Sequence, residues 1–442
     1  MAIDIHTRDL PITPDEARNI IQSNTDNFGV FIDMDRCFEL SALLQLDMSD
    51  CTVKARRVAN NPMLFLGRKD ECIAALEHLG VPHSTFIDMK TGKTSLTATI
   101  RKSIIDGVSY SKEAKELCRL INVYNSAKRN RGNIENFALR SPLSLALSKD
   151  KHRMVIARPT WSVLNTGRIA ASDPGIQGIP RTMSDIICEP EGYTLIRADS
   201  GQIEPRINFS TFLHDELIAN LITKYDDAYY GLLHYCILKP DREKELRDNF
   251  EANFKPLNLT DEVKEMRQTL KTLSLAGAYG SSNLEKVNQN LASVFDARIV
   301  HHPARLTLEQ SVRDRVRNGE TTFYGYFGTP VTPDETEKYS KGGSGWFEHV
   351  VRCGINNPVQ TTASELMMFS VDRARDILAR AKDSHICFYK HDEACFYVSD
   401  EDMANGIGDE LKEVTAYNVD GWIPIHSEVI VGKKKGDYPS YL

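Results

Sequence analysis

The tripeptide His391-Asp392-Glu393 sits between two apolar runs, Ile386 to Tyr389 and Ala394 to Val398, which read as the two strands of a hairpin. The chain thereby lifts two carboxylates onto a turn, a costly place for charge unless a cation meets it. Far upstream, Leu195-Ile196-Arg197-Ala198-Asp199 reads as another short strand ending in an acid, followed by Gly201 and then by Glu204 and Pro205, which open a helical pattern. Asp199 and Asp392 can therefore meet only by folding. Two acids on adjacent strand ends are the minimum that can hold a pair of divalent metals for in-line phosphoryl transfer. Either acid alone is also an ordinary turn residue, so a third element is needed to choose.

That element is Arg267-Gln-Thr-Leu-Lys271-Thr-Leu-Ser-Leu275-Ala-Gly-Ala-Tyr279-Gly280. Arg267, Lys271, Leu275 and Tyr279 recur every four residues, which on a helix makes a slowly drifting stripe along one face. Two cations, one apolar residue and one aromatic ring fall in line. A triphosphate would lie against the cations, a base or sugar against Leu275, and a nucleobase on Tyr279. Alone, such a stripe is an amphipathic helix with a basic end. In the order acid, Arg/Lys helix, His-Asp-Glu, it points to nucleotidyl transfer.

With these residues in view, the chain resembles the family A DNA polymerases, the group of bacterial DNA polymerase I and its phage relatives. The family's motif A, Asp-Tyr-Ser-Gln-Ile-Glu-Leu-Arg, is matched at five of eight positions by Asp199-Ser-Gly-Gln202-Ile203-Glu204-Pro205-Arg206. Motif B appears as Arg267, Lys271, Tyr279 and Gly280, and motif C is His391-Asp392-Glu393. Thr166-Gly167-Arg168 with Asp173-Pro174 and Gln177-x-Ile179-Pro180, and Arg352-x3-Asn356-x-Pro358-x-Gln360, resemble two further family segments. The resemblance covers about residue 160 to the C-terminus, and more weakly Gly29 to Asp33 and Leu79-Gly80-Val81.

The resemblance implies an α+β right-hand polymerase with an antiparallel-sheet palm, helical fingers and a helical thumb. Its implied divisions are an N-terminal segment and thumb over 1–158, a first palm part over 159–215, fingers over 216–355 and a second palm part over 356–442. It implies template-directed addition of dNTPs to a primer 3'-hydroxyl, with two Mg²⁺ ions, replaceable by Mn²⁺, held by Asp199 and Asp392. Lys271 and Arg267 would hold the triphosphate as charge migrates to pyrophosphate. Glu204 would exclude a 2'-hydroxyl, Gln202, Leu275 and Tyr229 would line the nucleotide site, and Glu393 and His391 would support the acids. Arg168, Arg352, Asn356 and Gln360 would follow the minor groove, where correct pairs share acceptors, while a nucleobase would stack on Tyr279. Primer–template DNA and dNTPs are the implied partners of a monomer, with a processivity factor, a helicase or primase, or a separate exonuclease as candidates beside them.

Composition is compatible and adds exclusions. The chain has 442 residues, 41% hydrophobic and 26% charged, enough for sizeable cores in two to three subdomains. It contains no apolar run of transmembrane length, and its charged N-terminus does not read as a signal peptide. Nine cysteines occur without a Cys-x-x-Cys pair, which argues for a reducing cytoplasm, bacterial or that of a phage-infected host, and against structural zinc or disulfides. The net charge of -7 excludes a generic basic DNA-coating protein, leaving only a local positive cleft, for which Lys128-Arg129-Asn130-Arg131 and Lys433-Lys434-Lys435 are candidates or else solvated basic loops. Residues 101 to 135 read as a long helical pair, the thumb of the resembling family. Leu217 to Val350 reads as mostly helical, broken by a hairpin near Phe323 to Gly328. Lys341 to Gly345 reads as a flexible loop.

Ahead of the thumb there is no room for the proofreading exonuclease fold of the bacterial relatives. Asp33-Met-Asp35 mimics paired exonuclease acids but reads better as a strand followed by a helix N-terminus. Three departures from the family stand out. Ser200 and Gly201 replace an aromatic residue and a Ser, Pro205 follows Glu204, and Leu275 stands where relatives carry Phe or Tyr, which implies discrimination against dideoxynucleotides. Two other readings compete: a single-subunit RNA polymerase-like nucleotidyltransferase, disfavoured by Glu204, and a catalytically silent nucleic-acid-binding protein.

Overall fold

Asp33 both ends a strand and starts a helix. Strand β1 (Val30–Asp33) is buried throughout, and the Asp33 carboxylate accepts the Arg36 amide at 2.8 Å to cap helix α1 (Met34–Val58). Gly29 to Asp33 thus forms the strand and helix start that the sequence predicts. Helix α1 buries Cys37, Leu40, Leu44, Met48, Cys51 and Ala55, spaced three or four apart, and packs along α2 (Lys112–Arg140). Here the structure differs from the expected helical pair within 101–135. That window holds the short helix Ala98–Asp106 and part of α2, and the long partner is α1. A long pairing needs two apolar faces of similar length, and Ala98–Asp106 buries only Arg101 and Ile104. Lys128 to Arg131 lies on α2 rather than in a loop, with Arg131 bonded to Glu135 at 2.9 Å. Strands β2 (Leu143–Leu147) and β3 (Arg153–Ala157) complete an antiparallel sheet in the order β1-β3-β2.

The computed structural model describes residues 2–87, 92–278 and 289–432, with the side chains of 139–140, 181, 275–278, 289–290, 292 and 336–344 outside that description. It divides into two compact units. The one just described comprises Gly29–Pro159 and Asp173–Gly192, and the other comprises the residues up to Phe28, Thr160–Ser172 and Tyr193–Gly432.

The larger unit is built on a four-stranded antiparallel sheet. Its strands are β4 (Tyr193–Ser200), β5 (His385–Lys390), β6 (Glu393–Ser399) and β7 (Ser427–Val431), in the order β5-β6-β4-β7. Every residue of β6 is buried, which explains why its stretch from Ala394 to Val398 is continuously apolar rather than alternating. Helix α3 (Ile203–Ile207) follows β4 at once, and Pro205 is its third residue, within the first turn where a missing N–H costs little.

The helical part packs Glu216–Tyr225, α4 (Ala228–Ile237) and α5 (Asp261–Ala278) around Leu217, Leu221, Leu232, Leu233, Leu270, Leu273 and Phe295. Gly231 is required there: a Cβ would meet the Ile222 backbone N at 2.7 Å. Helix α6 runs from Thr336 to Leu378 and includes Lys341 to Gly345, so that run is helical and not the loop the sequence suggests. Each Gly costs a helix about 1 kcal/mol; Val350, Val351 and Ile355, packed on Phe323 and Val331, hold the same helix further along. The short hairpin Phe323–Tyr324/Pro330–Val331 forms as expected, and buried Glu365 of α6 accepts the amides of Phe327 (2.9 Å) and Thr329 (2.7 Å). No helix among the described residues is long and apolar enough to cross a membrane.

Candidate active site

The register of the central sheet decides where the acids fall. Asp199 is opposite Glu393 on β6 and opposite Glu428 on β7. Lys390 pairs with Glu393, so the turn between β5 and β6 contains only His391 and Asp392, with His391 at φ 58°. The Ser200 amide donates to the Asp392 carbonyl at 2.9 Å, locking that turn against the end of β4. Asp199 and Asp392 thus come together, as the sequence predicts. Burial pushes the Asp392 carboxyl above its ordinary range, opposed by its own amide, with the charges of Glu204 and Glu393 adding to the rise and Arg168 countering it. Glu393 is of a different kind. It is buried and accepts the Arg197 Nε at 2.6 Å, so its charge is spent inside the sheet.

The two departures at 200 and 201 acquire reasons. Ser200 is buried and its hydroxyl donates to the Thr415 carbonyl at 3.0 Å. Gly201 lies where a Cβ would be 3.2 Å from both the Glu428 carboxylate and the His426 carbonyl, so a close strand crossing favours the smallest residue.

Arg267 and Lys271 both lie on α5. Arg267 forks onto Asp227, with its Nε 3.2 and 3.1 Å from the two carboxylate oxygens and its Nη2 bonded to Oδ2. The Tyr229 ring lies 5.5 Å from the Arg267 guanidinium carbon and 5.8 Å from the Lys271 Nζ. Tyr229 is itself buried, and burial pushes its hydroxyl up to about 12. Gln202, in a left-handed conformation at φ 55°, donates to Asp227 at 3.0 Å and accepts the Ala228 amide. A non-glycine residue held there is strained, and here the strain aims the side chain at the partner of Arg267. Leu275 lies on α5 with its side chain outside the described residues, and Tyr279 and Gly280 lie outside them altogether, as do Lys433 to Lys435.

Arg168 Nη2 donates to Glu204 Oε1 at 2.8 Å, both side chains about a quarter exposed (23% and 24%). Arg352, Asn356 and Gln360 sit at four-residue intervals on α6; Arg352 is exposed, while Asn356 and Gln360 line a largely apolar cavity of about 80 Å³ with Glu204, Tyr229 and Ser274. Arg206, the last residue of the motif, is buried and ties α3 to Asp226 at 3.0 and 3.1 Å.

Asp227, Glu428 and Arg197 carry no motif that marks them in the sequence. Asp227 carries the signal of a helix cap, since its carboxylate accepts the Tyr230 amide at 2.8 Å, but its pairing with Arg267 spans forty residues and leaves no local trace. A group of acid and imidazole side chains close enough to share a cation lies elsewhere, at Asp33, Asp150 and His152 in the smaller unit. There Asp33 is engaged by Arg36 and by His152 Nδ1 at 2.8 Å, while Asp35 pairs with Arg153.

No protein-family model matches the chain. In sequence it is similar to DNA polymerase I of Bacillus subtilis (strain 168), 21% identical over 404 residues that take in 87% of this chain and 41% of that protein. It is also similar to DNA polymerase I of Pseudomonas aeruginosa, 24% identical over 61% of this chain and 28% of that protein, and to the thermostable DNA polymerase I of Thermus filiformis, 27% identical over 61% and 31%. The matched regions therefore span less than half the length of these curated relatives. In fold it matches the POL domain of Pol1 from M. smegmatis, solved in complex with DNA primer-template and dNTP, with a TM-score of 0.72, 19% identity, and coverage of 96% of this chain and 70% of that one.

Proposed function

We propose that this chain, related in sequence and fold to the polymerase region of DNA polymerase I, is a template-directed DNA polymerase that adds dNTPs to a primer 3'-hydroxyl. The observation that carries the reading is the meeting of Asp199 and Asp392 at adjacent strand ends, three residues from Gln202, whose partner Asp227 holds the basic helix. In this reading 159–215 and 356–442 form the palm, 216–355 the fingers, and α1 with α2 the thumb within 1–158.

The acid pair fits divalent metal. Asp392 is a half-buried carboxylate crowded by two other acids, an arrangement that a cation relieves, and both residues offer hard oxygen donors of the kind Mg²⁺ prefers. When bound, two such ions would supply activation of the attacking oxygen and stabilisation of the leaving one. The chain's own residues do the rest. Lys271 and Arg267 hold the triphosphate and meet the charge that builds on pyrophosphate. Glu204, fixed by Arg168, stands where a 2'-hydroxyl would collide. Asn356, Gln360 and Arg352 contact the minor-groove edge of the pair, and base pairing supplies the sequence information. Arg197 keeps Glu393 turned into the sheet, so Glu393 supports the strand that carries Asp392.

A primer-extension assay with Mg²⁺ and four dNTPs tests the proposal. Asp199→Ala or Asp392→Ala should remove most turnover and leave primer–template affinity largely intact, because that affinity rests on many phosphate contacts. Wild-type rates in either variant would refute the assignment, and preferential use of rNTPs would favour an RNA polymerase. We further expect no 3'–5' proofreading, since the Asp33 and Asp35 carboxylates are committed to a cap and an ion pair. Shortening of a 3'-mismatched primer by the pure chain would overturn that expectation.

A further inference from the structure

Arg267, the residue assigned to the triphosphate, already has an anion. Its Nε and Nη2 are occupied by both oxygens of Asp227, the fork geometry in which a guanidinium also binds phosphate. The two side chains are only 23% and 16% exposed, so the pair is partly desolvated. A nucleotide that uses the same donors has to take them from Asp227.

The acid is the fixed member of the pair. Asp227 also accepts the Tyr230 amide at 2.8 Å and the Gln202 Nε2 at 3.0 Å, and Gln202 is itself anchored by the Ala228 amide. If Arg267 leaves, the Asp227 carboxylate still has two donors and helix α4 keeps its cap. Burial would raise the Asp227 carboxyl, but the Arg267 bond, the Tyr230 amide and the Gln202 amide together hold it below its ordinary range, so it stays a charged competitor. Arg267 is the movable member. Its other contacts are the faces of Tyr229 and Tyr230, at 5.5 and 5.2 Å, which a guanidinium can slide across.

We infer that Asp227 is a resident counter-ion which the triphosphate displaces from Arg267, so that nucleotide binding at this site is an exchange of ion pairs. The inference deepens the polymerase reading and rests on it for the identity of the nucleotide. Phosphate oxygens replace carboxylate oxygens on the same two donors, and no bond other than hydrogen bonds is made or broken. The exchange sets a threshold, because a ligand whose phosphates do not reach Arg267 in register leaves the resident pair intact. Asp227 is on this account a specificity-determining residue that acts through Arg267.

The test uses the full chain and inorganic tripolyphosphate as probe, with binding read by calorimetry, alongside KM for dNTP. Asp227→Asn removes the charge but keeps the cap, since Asn and Asp are equally good there. It should tighten tripolyphosphate binding and lower KM about fivefold, the scale of one partly exposed ion pair. In an Arg267→Ala background the same substitution should change nothing. Asp227→Ser, a second neutral cap, should behave alike and covers the case in which the Asn variant does not fold. Weaker or unchanged tripolyphosphate binding in both, or an equal effect without Arg267, overturns the exchange and leaves Asp227 as a structural anchor. If the wild-type chain fails to extend a primer while the tripolyphosphate results come out as expected, the polymerase reading falls and the exchange stands.

Discussion

Replacing Glu393 by Ala separates the two roles that a motif acid can have. In the sheet Glu393 accepts the Arg197 Nε at 2.6 Å, and the two side chains are 11% and 10% exposed. Burial lowers the pKa of Arg197, but the Glu393 hydrogen bond and charge more than offset that, so the guanidinium is a firmly held cation in the core. Removing the acid strands that cation, and breaking one partner of a buried pair costs about 3–5 kcal/mol. For a unit of this size each kcal/mol lowers Tm by roughly 2–4 °C, so a fall of about 6–20 °C is expected. Changing both partners, Arg197→Met with Glu393→Met, should recover most of the loss, because a buried pair replaced by apolar side chains of similar volume is often near neutral. Urea unfolding and primer extension at 20 °C measure the two consequences separately. If Glu393→Ala keeps its stability within about 1 kcal/mol and loses extension, Glu393 acts on the reaction, and the structural role argued from its ion pair is wrong.

Lys271→Ala should cut the maximal incorporation rate by about 10²- to 10³-fold as well as weaken nucleotide binding, as expected for a charge that meets the transition state; an effect confined to primer–template affinity in rapid-quench kinetics would mean the helix faces DNA. Glu204→Ala should raise ribonucleotide insertion relative to deoxynucleotide, measured with matched single nucleotides, and an unchanged ratio would remove Glu204 as the sugar gate. His234 is buried against the Tyr225 hydroxyl at 2.9 Å, and burial with the charge of Arg242 lowers its pKa to about 4. Its folded-state value lies below the unfolded 6.5, so the stability it contributes is full above about 6.5 and is lost as the pH falls towards 4. His234→Phe should flatten unfolding free energy across that window, and a slope equal to wild type would refute the assignment.

The acids, the basic helix and the strand-turn-strand that carries Asp392 were legible in the sequence because each is local. A continuously apolar run signals a strand buried on both faces, Asp33 signals a cap, and four-residue spacing signals a helix face. Elsewhere local composition and the fold disagree. Lys341 to Gly345 has the composition of a loop, yet it is helical, because apolar anchors further along α6 outweigh the glycine cost. The long partner of α2 could not be chosen from windows of composition, since Ala98–Asp106 and α1 are both helical and only facing apolar surface distinguishes them.

The candidates for chemistry are already present as local patterns of residues: two carboxylates at strand ends, two cations one turn apart, and an acid after the first strand. Which charges face one another is settled by the fold. It set Glu428 opposite Asp199, turned Glu393 onto Arg197, placed Arg168 on Glu204 and gave Arg267 to Asp227. Each of these pairings joins residues from separate elements, and a charge acts over a few ångströms of space whatever the distance along the chain.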